Sequence, residues 1–378
     1  MALRSGRAEA GLIIHEGQLT YAQSGFTKII DLGEWWKERT GLPLPLGGNI
    51  LRRDIPRDIQ HDLTAMLTET FTLGHSPDPD DAFMFYAMAA NKIDLRGYRF
   101  EHRLEDIQTL NERAMRGELH ISAVSIHACA YVGDKYLLLP CGASMGDGYG
   151  PLVIEKDRTP VRAVGSTSRS ANTEPAYAEG YGVAGIEHRA PNEGARSRLR
   201  DRVIAVPGTM TSAFLALQLY LGEFKYIVVP FDEIFAAVRN GRADAGLIIH
   251  EGQLTYAHSG FTKIIDLGRW WKDRTGLPLP LGGNVLRKDI PREIQSDLAA
   301  ILRESIEFGL NHRAEAVQHS MPYARGMGSD LASKFIGMYV NEFTRDYGEV
   351  GREAIRRFLG EARERGYIDR EILIEFVK

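Results

Sequence analysis

Apolar and polar positions from Phe71 onward alternate between two periods, about two and about 3.6 residues. Phe71 to His75 reads as a short strand. Ser76 to Asp81 is a proline-containing turn, and Ala82 to Asn91 an apolar helix with an aspartate placed as its N-cap. Strand Tyr98 to Leu104, helix Glu105 to Arg116, strand Leu119 to Val124, a short helix Ile126 to Tyr131 and strand Tyr136 to Pro140 follow. The glycine-rich turn Gly146 to Pro151 leads into strand Leu152 to Glu155. A second series then runs through strand Val203 to Val206, helix Thr211 to Leu221, strand Tyr226 to Val229, helix Asp232 to Arg239 and strand Ala245 to Ile249. Strands alternating with helices at this spacing predict a parallel α/β sheet in each series. After Lys263 to Leu267 and a Trp-Trp pair, LPLPLGGNVL predicts a strand returning to the first series. Residues 291 to 378 read as mostly helical, including Ser329 to Phe343 and Gly351 to Arg365.

Two stretches interrupt this plan. Lys156 to Arg200 is rich in Ser, Ala, Gly, Glu and Arg and has no sustained periodicity, so it reads as a mobile surface insertion. Residues 4 to 71 repeat residues 239 to 306 at a constant offset of 235, with 54 of 68 positions identical. His15 thus matches His250, Trp35-Trp36 match Trp270-Trp271, and Gly47-Gly48-Asn49 match Gly282-Gly283-Asn284. The first copy lacks the helix that precedes the second and ends in mid-helix. It has no Thr-Met-Thr-Ser stretch before it, so His15 is expected to be non-catalytic. The expected organisation is a partial duplicate at 1–71 that forms no independent domain, one lobe from 72–152 with 280–378, and a second from 153–279.

Composition narrows the function classes. The chain has 378 residues, enough for two domains with ordinary cores. A net charge of −4 gives no reason to expect nucleic acid or an anionic membrane as partner. Two cysteines, Cys129 and Cys141, fit no zinc spacing and suggest a reducing compartment. The first residues are too polar for a signal peptide, and no run of about 18 apolar residues occurs. A cytoplasmic protein with no membrane span is expected.

Four strand-to-turn junctions can face a cleft between two α/β units, where helix-start N–H groups favour an anion. At the first, Ser76 can bond a ligand or simply belong to a capped turn. At the second, Ser125 sits at a helix start, and His127 reads equally as core or cleft. At the third, Thr211 and Ser212 offer hydroxyls and amides, as a carboxylate cradle or as an N-cap. At the fourth, His250 follows a strand too apolar for the surface; neutral imidazole suits a general base, and a hydrogen-bonded structural role competes with that. Glu251 points elsewhere if the strand continues. HEG is not HExxH, no Walker or GxGxxG pattern is present, and no cluster has convincing metal spacing.

Taken in order, GHSPDPDDAFMFYAM, SIHACAYV, GDGYGPLVI, VPGTMTSAFLAL, DAGLIIHEGQLTY, DLGRWWKDRTGLPLPLGG and FIGMYVNEFTRDYG resemble the 1,4-dihydroxy-6-naphthoate synthases of the futalosine route to menaquinone. The resemblance spans residues 72 to 378 apart from the insertion. It implies an α/β, two-lobed fold like the type II periplasmic binding proteins, with a central cleft. It also implies cleavage of cyclic dehypoxanthinyl futalosine, a small-molecule carboxylate substrate, to 1,4-dihydroxy-6-naphthoate and dihydroxyacetone, with no metal or organic cofactor. His250 is implied as the base, and Ser125, Ser212 and Ala213 as pocket residues. Two alternatives remain at this point: a chorismate dehydratase of the same pathway, and a solute-binding protein that holds a small anion without chemistry. The oligomeric state stays open.

Overall fold

A computed structural model describes residues 10, 12–13, 22–40, 69–157 and 191–378. The chain forms two compact units, Met1–Leu67 and Thr68–Lys378.

Among the described residues of the larger unit, eleven strands build two sheets. Strands β1 (Thr70–His75), β2 (Arg99–Leu104), β3 (Ile121–Ser125), β4 (Tyr136–Leu138) and β5 (Ser144–Gly146) belong to the first sheet. Strands β6 (Leu152–Lys156), β7 (Val203–Val206), β8 (Lys225–Val228), β9 (Ala245–Ile248) and β10 (Phe261–Asp266) form the second. Strand β11 (Leu279–Arg287) returns to the first. The first sheet runs β2-β1-β3-β11-β4 with β5 also on β11, and the second β10-β6-β9-β7-β8. The chain therefore crosses between sheets twice, after β5 and after β10, as the returning LPLPLGGNVL strand predicts.

Neither sheet is purely parallel. β1 pairs parallel with β2 and β3, and β7 with β8 and β9, as expected of strand–helix alternation. β11 runs antiparallel to its neighbours, and so do β6 and β10 to theirs. The two crossings enforce this: a strand that arrives from the other sheet is not constrained by the right-handed crossover of a βαβ unit.

Several element edges move for local reasons. The helix expected from Ala82 starts at Pro79 and breaks at Phe85, giving Pro79–Met84 and Tyr86–Ala89. Pro79 fits the first helical position because its missing N–H needs no partner there. The expected mobile insertion contains helix Pro191–Leu199, in which Ala195 and Leu199 are buried. Arg198 and Arg202 converge on buried Glu155 of β6, and Arg196 lies over the Tyr220 ring. The rest of that insertion, 158–190, falls outside the described residues. The expected helix Ser329 to Phe343 ends at Tyr339. The last residues are not helical: Phe376 bridges Leu138 at the edge of the first sheet.

The Trp pair shows what the repeat means physically. Trp270 and Trp271 lie on helix Leu267–Thr275 and are both buried. Arg274 stacks over both rings and makes two hydrogen bonds, 2.8 and 2.6 Å, to buried Glu361 of helix Gly348–Glu364. In the smaller unit the corresponding residues, identical at seven of nine positions, form helix Leu32–Thr40, yet Trp35 is 42% exposed where Trp270 is 4%. Leu12 is 75% exposed where Leu247 is fully buried. Residues 26–30 form no strand, whereas their equivalents form β10. A strand needs a neighbour to bond its backbone, and in the second copy β6 supplies it. His15 and Gly47-Gly48-Asn49 lie outside the described residues.

Candidate active site

A cleft of about 790 Å³, open at its mouth, lies where β1, β3 and β11 of the first sheet meet the turns that follow β7 and β9 of the second. Ser76, Ser125, Thr211, Ser212 and Ala213 all line it. Three separate stretches of sequence are thus brought to one place.

Ser125 ends β3 and stands as N-cap of helix Ile126–Val132. Buried Asn111 fixes it twice: its Oδ1 accepts from the Ser125 N–H at 2.8 Å and its Nδ2 donates to Ser125 Oγ at 3.0 Å. Thr211 caps helix Ser212–Leu221, its Oγ1 accepting from the Phe214 N–H and donating to the Gly208 carbonyl. Ser212 Oγ donates to the Leu281 carbonyl of β11 at 2.7 Å and accepts from the His127 N–H at 3.1 Å. The hydroxyls of Thr211 and Ser212 therefore hold the architecture. The first N–H groups of that helix, at Ser212 and Ala213, have no intrahelical acceptor and form the positive end of its dipole. These amides, more than the hydroxyls, can receive an anion.

Ser76 donates to two carboxylates. Its N–H donates to Asp81 Oδ2 at 2.7 Å and its Oγ to Asp78 Oδ2 at 3.0 Å. Asp78, Asp80 and Asp81 all line the cleft. Burial and the neighbouring carboxylates push Asp80 well above the usual carboxylate range, and burial above all raises Asp81 to about 6. This acidic wall was not singled out from sequence, because Pro-Asp-Pro-Asp-Asp reads equally as an ordinary capped turn. Gln253, Asn284 and Tyr339 also line the cleft, with Tyr339 Oη donating to Gln253 Oε1 at 2.6 Å.

His250 is 8% exposed and does not itself line the cleft, although Ile249 and Gln253 do. Its ring packs edge-on against Phe231 and Phe235. Nδ1 accepts the Gly252 N–H at 3.0 Å, so the neutral ring carries its proton on Nε2. Burial holds its pKa below the ordinary histidine value, keeping it uncharged at neutral pH; Glu251 and Asp78 act against this, and Arg325 with it. Glu251 Oε2 lies 3.7 Å from Nδ1, but its partner is Arg325, at 2.8 Å. Arg325 also meets Asp78 at 2.8 Å and the Pro77 carbonyl at 3.3 Å, and stacks over Phe231. One guanidinium thus joins the end of β1 to the end of β9. No local motif signals it, because its partners are 74 and 248 residues away.

His127 is core: it is buried, packs on Tyr131 and lies outside the cleft wall. Among the described residues no group of three or more His, Cys, Asp or Glu is arranged to hold a metal ion, and no helix is long and apolar enough to cross a membrane.

A family profile described as menaquinone biosynthesis matches residues 1–70, 71–174 and 176–364, so the first copy matches as well as the main body. The 1,4-dihydroxy-6-naphthoate synthase of Thermus thermophilus is 35% identical over 298 residues, covering 79% of this chain and 96% of that protein. A solved structure of an Archaeoglobus fulgidus protein is 38% identical with a TM-score of 0.67, over 79% of this chain and 98% of the other. A Candida albicans protein described as having the generic periplasmic binding protein fold superposes with a TM-score of 0.56 at 10% identity, over 80% of this chain and 92% of the other; it speaks to fold alone. The fold is thus α/β with two open sheets, of the periplasmic-binding-protein type, and the chain, an enzyme of the lyase class, belongs to the menaquinone-biosynthesis family that contains the 1,4-dihydroxy-6-naphthoate synthases.

Proposed function

We propose that this enzyme converts cyclic dehypoxanthinyl futalosine to 1,4-dihydroxy-6-naphthoate and dihydroxyacetone. The observation that carries the reading, beside family membership, is that one cleft collects Ser125, Ser212 and Ala213 at two helix starts. The Ser212 and Ala213 amides receive the substrate carboxylate, where the helix dipole favours it. His250 acts as the general base, removing a proton beside a carbonyl; C–C cleavage then expels the three-carbon fragment and the ring aromatises. A positioned base contributes about 10²–10⁴-fold. For that role the imidazole must turn, releasing the Gly252 N–H and presenting a bare nitrogen to the cleft between Ile249 and Gln253. No step invokes a cofactor.

The reaction is proposed to be cytoplasmic, in keeping with Cys129 and Cys141, both buried free thiols. The unit 72–152 with 280–378 is taken as one lobe and 153–279 as the other. The test is to supply cyclic dehypoxanthinyl futalosine and chorismate separately and to identify products by mass. Release of the dihydroxynaphthoate from the first alone is expected; dehydration of chorismate instead would move the enzyme to the sister activity. Tight binding of the futalosine with no product would make it a binding protein.

A further inference from the structure

The Gly282-Gly283-Asn284 stretch of β11 has a chemistry that the reading above does not use. Asn284 lines the cleft and is 1% exposed. Its Nδ2 donates to the Gly142 carbonyl at 3.0 Å. That bond settles which end of the amide is which, because a carbonyl oxygen accepts and only the NH₂ end can donate. Oδ1 is then the opposite end, buried and without a partner among the described groups.

The seat around it is built. Gly142 has φ +80°, a left-handed conformation suited to glycine, and a Cβ there would come within 2.4 Å of Asn284 Nδ2. β11 is held on both sides, by β3 through Asn284 opposite Ala123 and by β4 through Val285 opposite Leu138. Rotation of the Asn284 amide would set its oxygen against the Gly142 carbonyl, so the acceptor cannot be turned away. An acceptor fixed in this way, in a residue of the cleft wall, needs a donor to repay its desolvation.

We infer that Asn284 is a specificity-determining residue whose Oδ1 accepts a hydroxyl proton of the bound substrate and product. A carboxylate cannot fill this position, since two acceptors would face each other. The ligand is therefore oriented: its carboxylate lies at the Ser212 and Ala213 amides, and a hydroxyl-bearing part lies against Asn284. This inference rests on the proposed naphthoate-forming activity.

The test uses two ligands and one variant of the full chain. 1,4-Dihydroxy-6-naphthoate carries a carboxylate and two hydroxyl donors; 2-naphthoate has the same rings and carboxylate without hydroxyls. Affinities are measured by calorimetry for the wild type and for Asn284→Ala. The wild type is expected to prefer the dihydroxy compound by about tenfold or more, the value of one hydrogen bond to a buried acceptor. Asn284→Ala is expected to hold 2-naphthoate within about twofold of wild type while its preference collapses to near unity. A preference unchanged in the variant overturns the role of Asn284 and leaves the naphthoate reading standing. Loss of 2-naphthoate binding in the variant also overturns it, making Asn284 a support of the cleft's shape. If the wild type binds neither compound, the naphthoate reading itself fails and the inference with it.

Discussion

Replacing Arg325 with alanine removes the guanidinium that joins the two sides of the cleft mouth. Its ion pairs with Glu251 and Asp78 are both 2.8 Å long, and the side chains of Glu251, Asp78 and Arg325 are 9%, 25% and 30% exposed. Exposed pairs contribute about 0–1 kcal/mol, while breaking a buried one costs about 3–5 kcal/mol. These groups lie between the extremes, so about 2 kcal/mol is expected for the pairs after allowing for solvent screening. Loss of the stack on Phe231 adds about 0.5–1 kcal/mol. Urea unfolding should therefore show Arg325→Ala less stable by about 2–3 kcal/mol at pH 7. The same change acts on His250. Burial is the main influence holding the His250 pKa down and Arg325 adds to it, while Glu251 and Asp78 raise it, so removing the cation moves the pKa up although burial still holds it low. If the neutral imidazole is the base, the acid limb of kcat/KM moves to higher pH in the variant, and Arg325→Lys restores part of the shift. A variant with wild-type stability and an unmoved acid limb would refute both the bridge and its effect on His250.

Other expected outcomes are independent of that one. Asp81 has a folded pKa of about 6 against an ordinary 3.8, so the folded state binds more protons between those values and stability falls as pH rises through that window. Asp81→Asn keeps an acceptor for the Ser76 N–H and should flatten the fall, which is on the order of 2 kcal/mol; urea midpoints at pH 4 and 7.5 measure it. Deleting residues 1–67 should leave turnover within about twofold, since the larger unit contains every residue of the cleft; large loss in a steady-state assay would show that the first copy matters. Glu361→Ala leaves Arg274 without its two bonds and should lower stability by about 2–4 kcal/mol, read as a fall in the thermal midpoint.

Period and turn chemistry made most elements legible, since Val203–Val206 and Ser212–Leu221 follow directly from local pattern. Strand direction was less accessible. β6, β10 and β11 run antiparallel because of how the chain crosses between sheets, a long-range fact absent from any window of sequence. Helix Pro191–Leu199 was hidden by a polar composition and is anchored through Glu155, 43 residues before Arg198. At the cleft, Ser76, Ser125, Thr211 and Ser212 were readable as residues of strand-to-turn junctions, and Ala213 only through the family resemblance. Asp80, Asn284 and Arg325 were not, because each acquires its meaning from partners or burial that only tertiary structure provides. The orientation of His250 belongs with these: its residue type suggested a base, while the Gly252 N–H on Nδ1 determines which nitrogen is bare.

The most direct measurement compares the full chain with His250→Ala on cyclic dehypoxanthinyl futalosine, following 1,4-dihydroxy-6-naphthoate by mass spectrometry under single-turnover conditions. The wild type should release product, and His250→Ala should bind the substrate but form product at least 10²-fold more slowly. Near-normal product formation by the variant, or none by the wild type, would contradict the proposal.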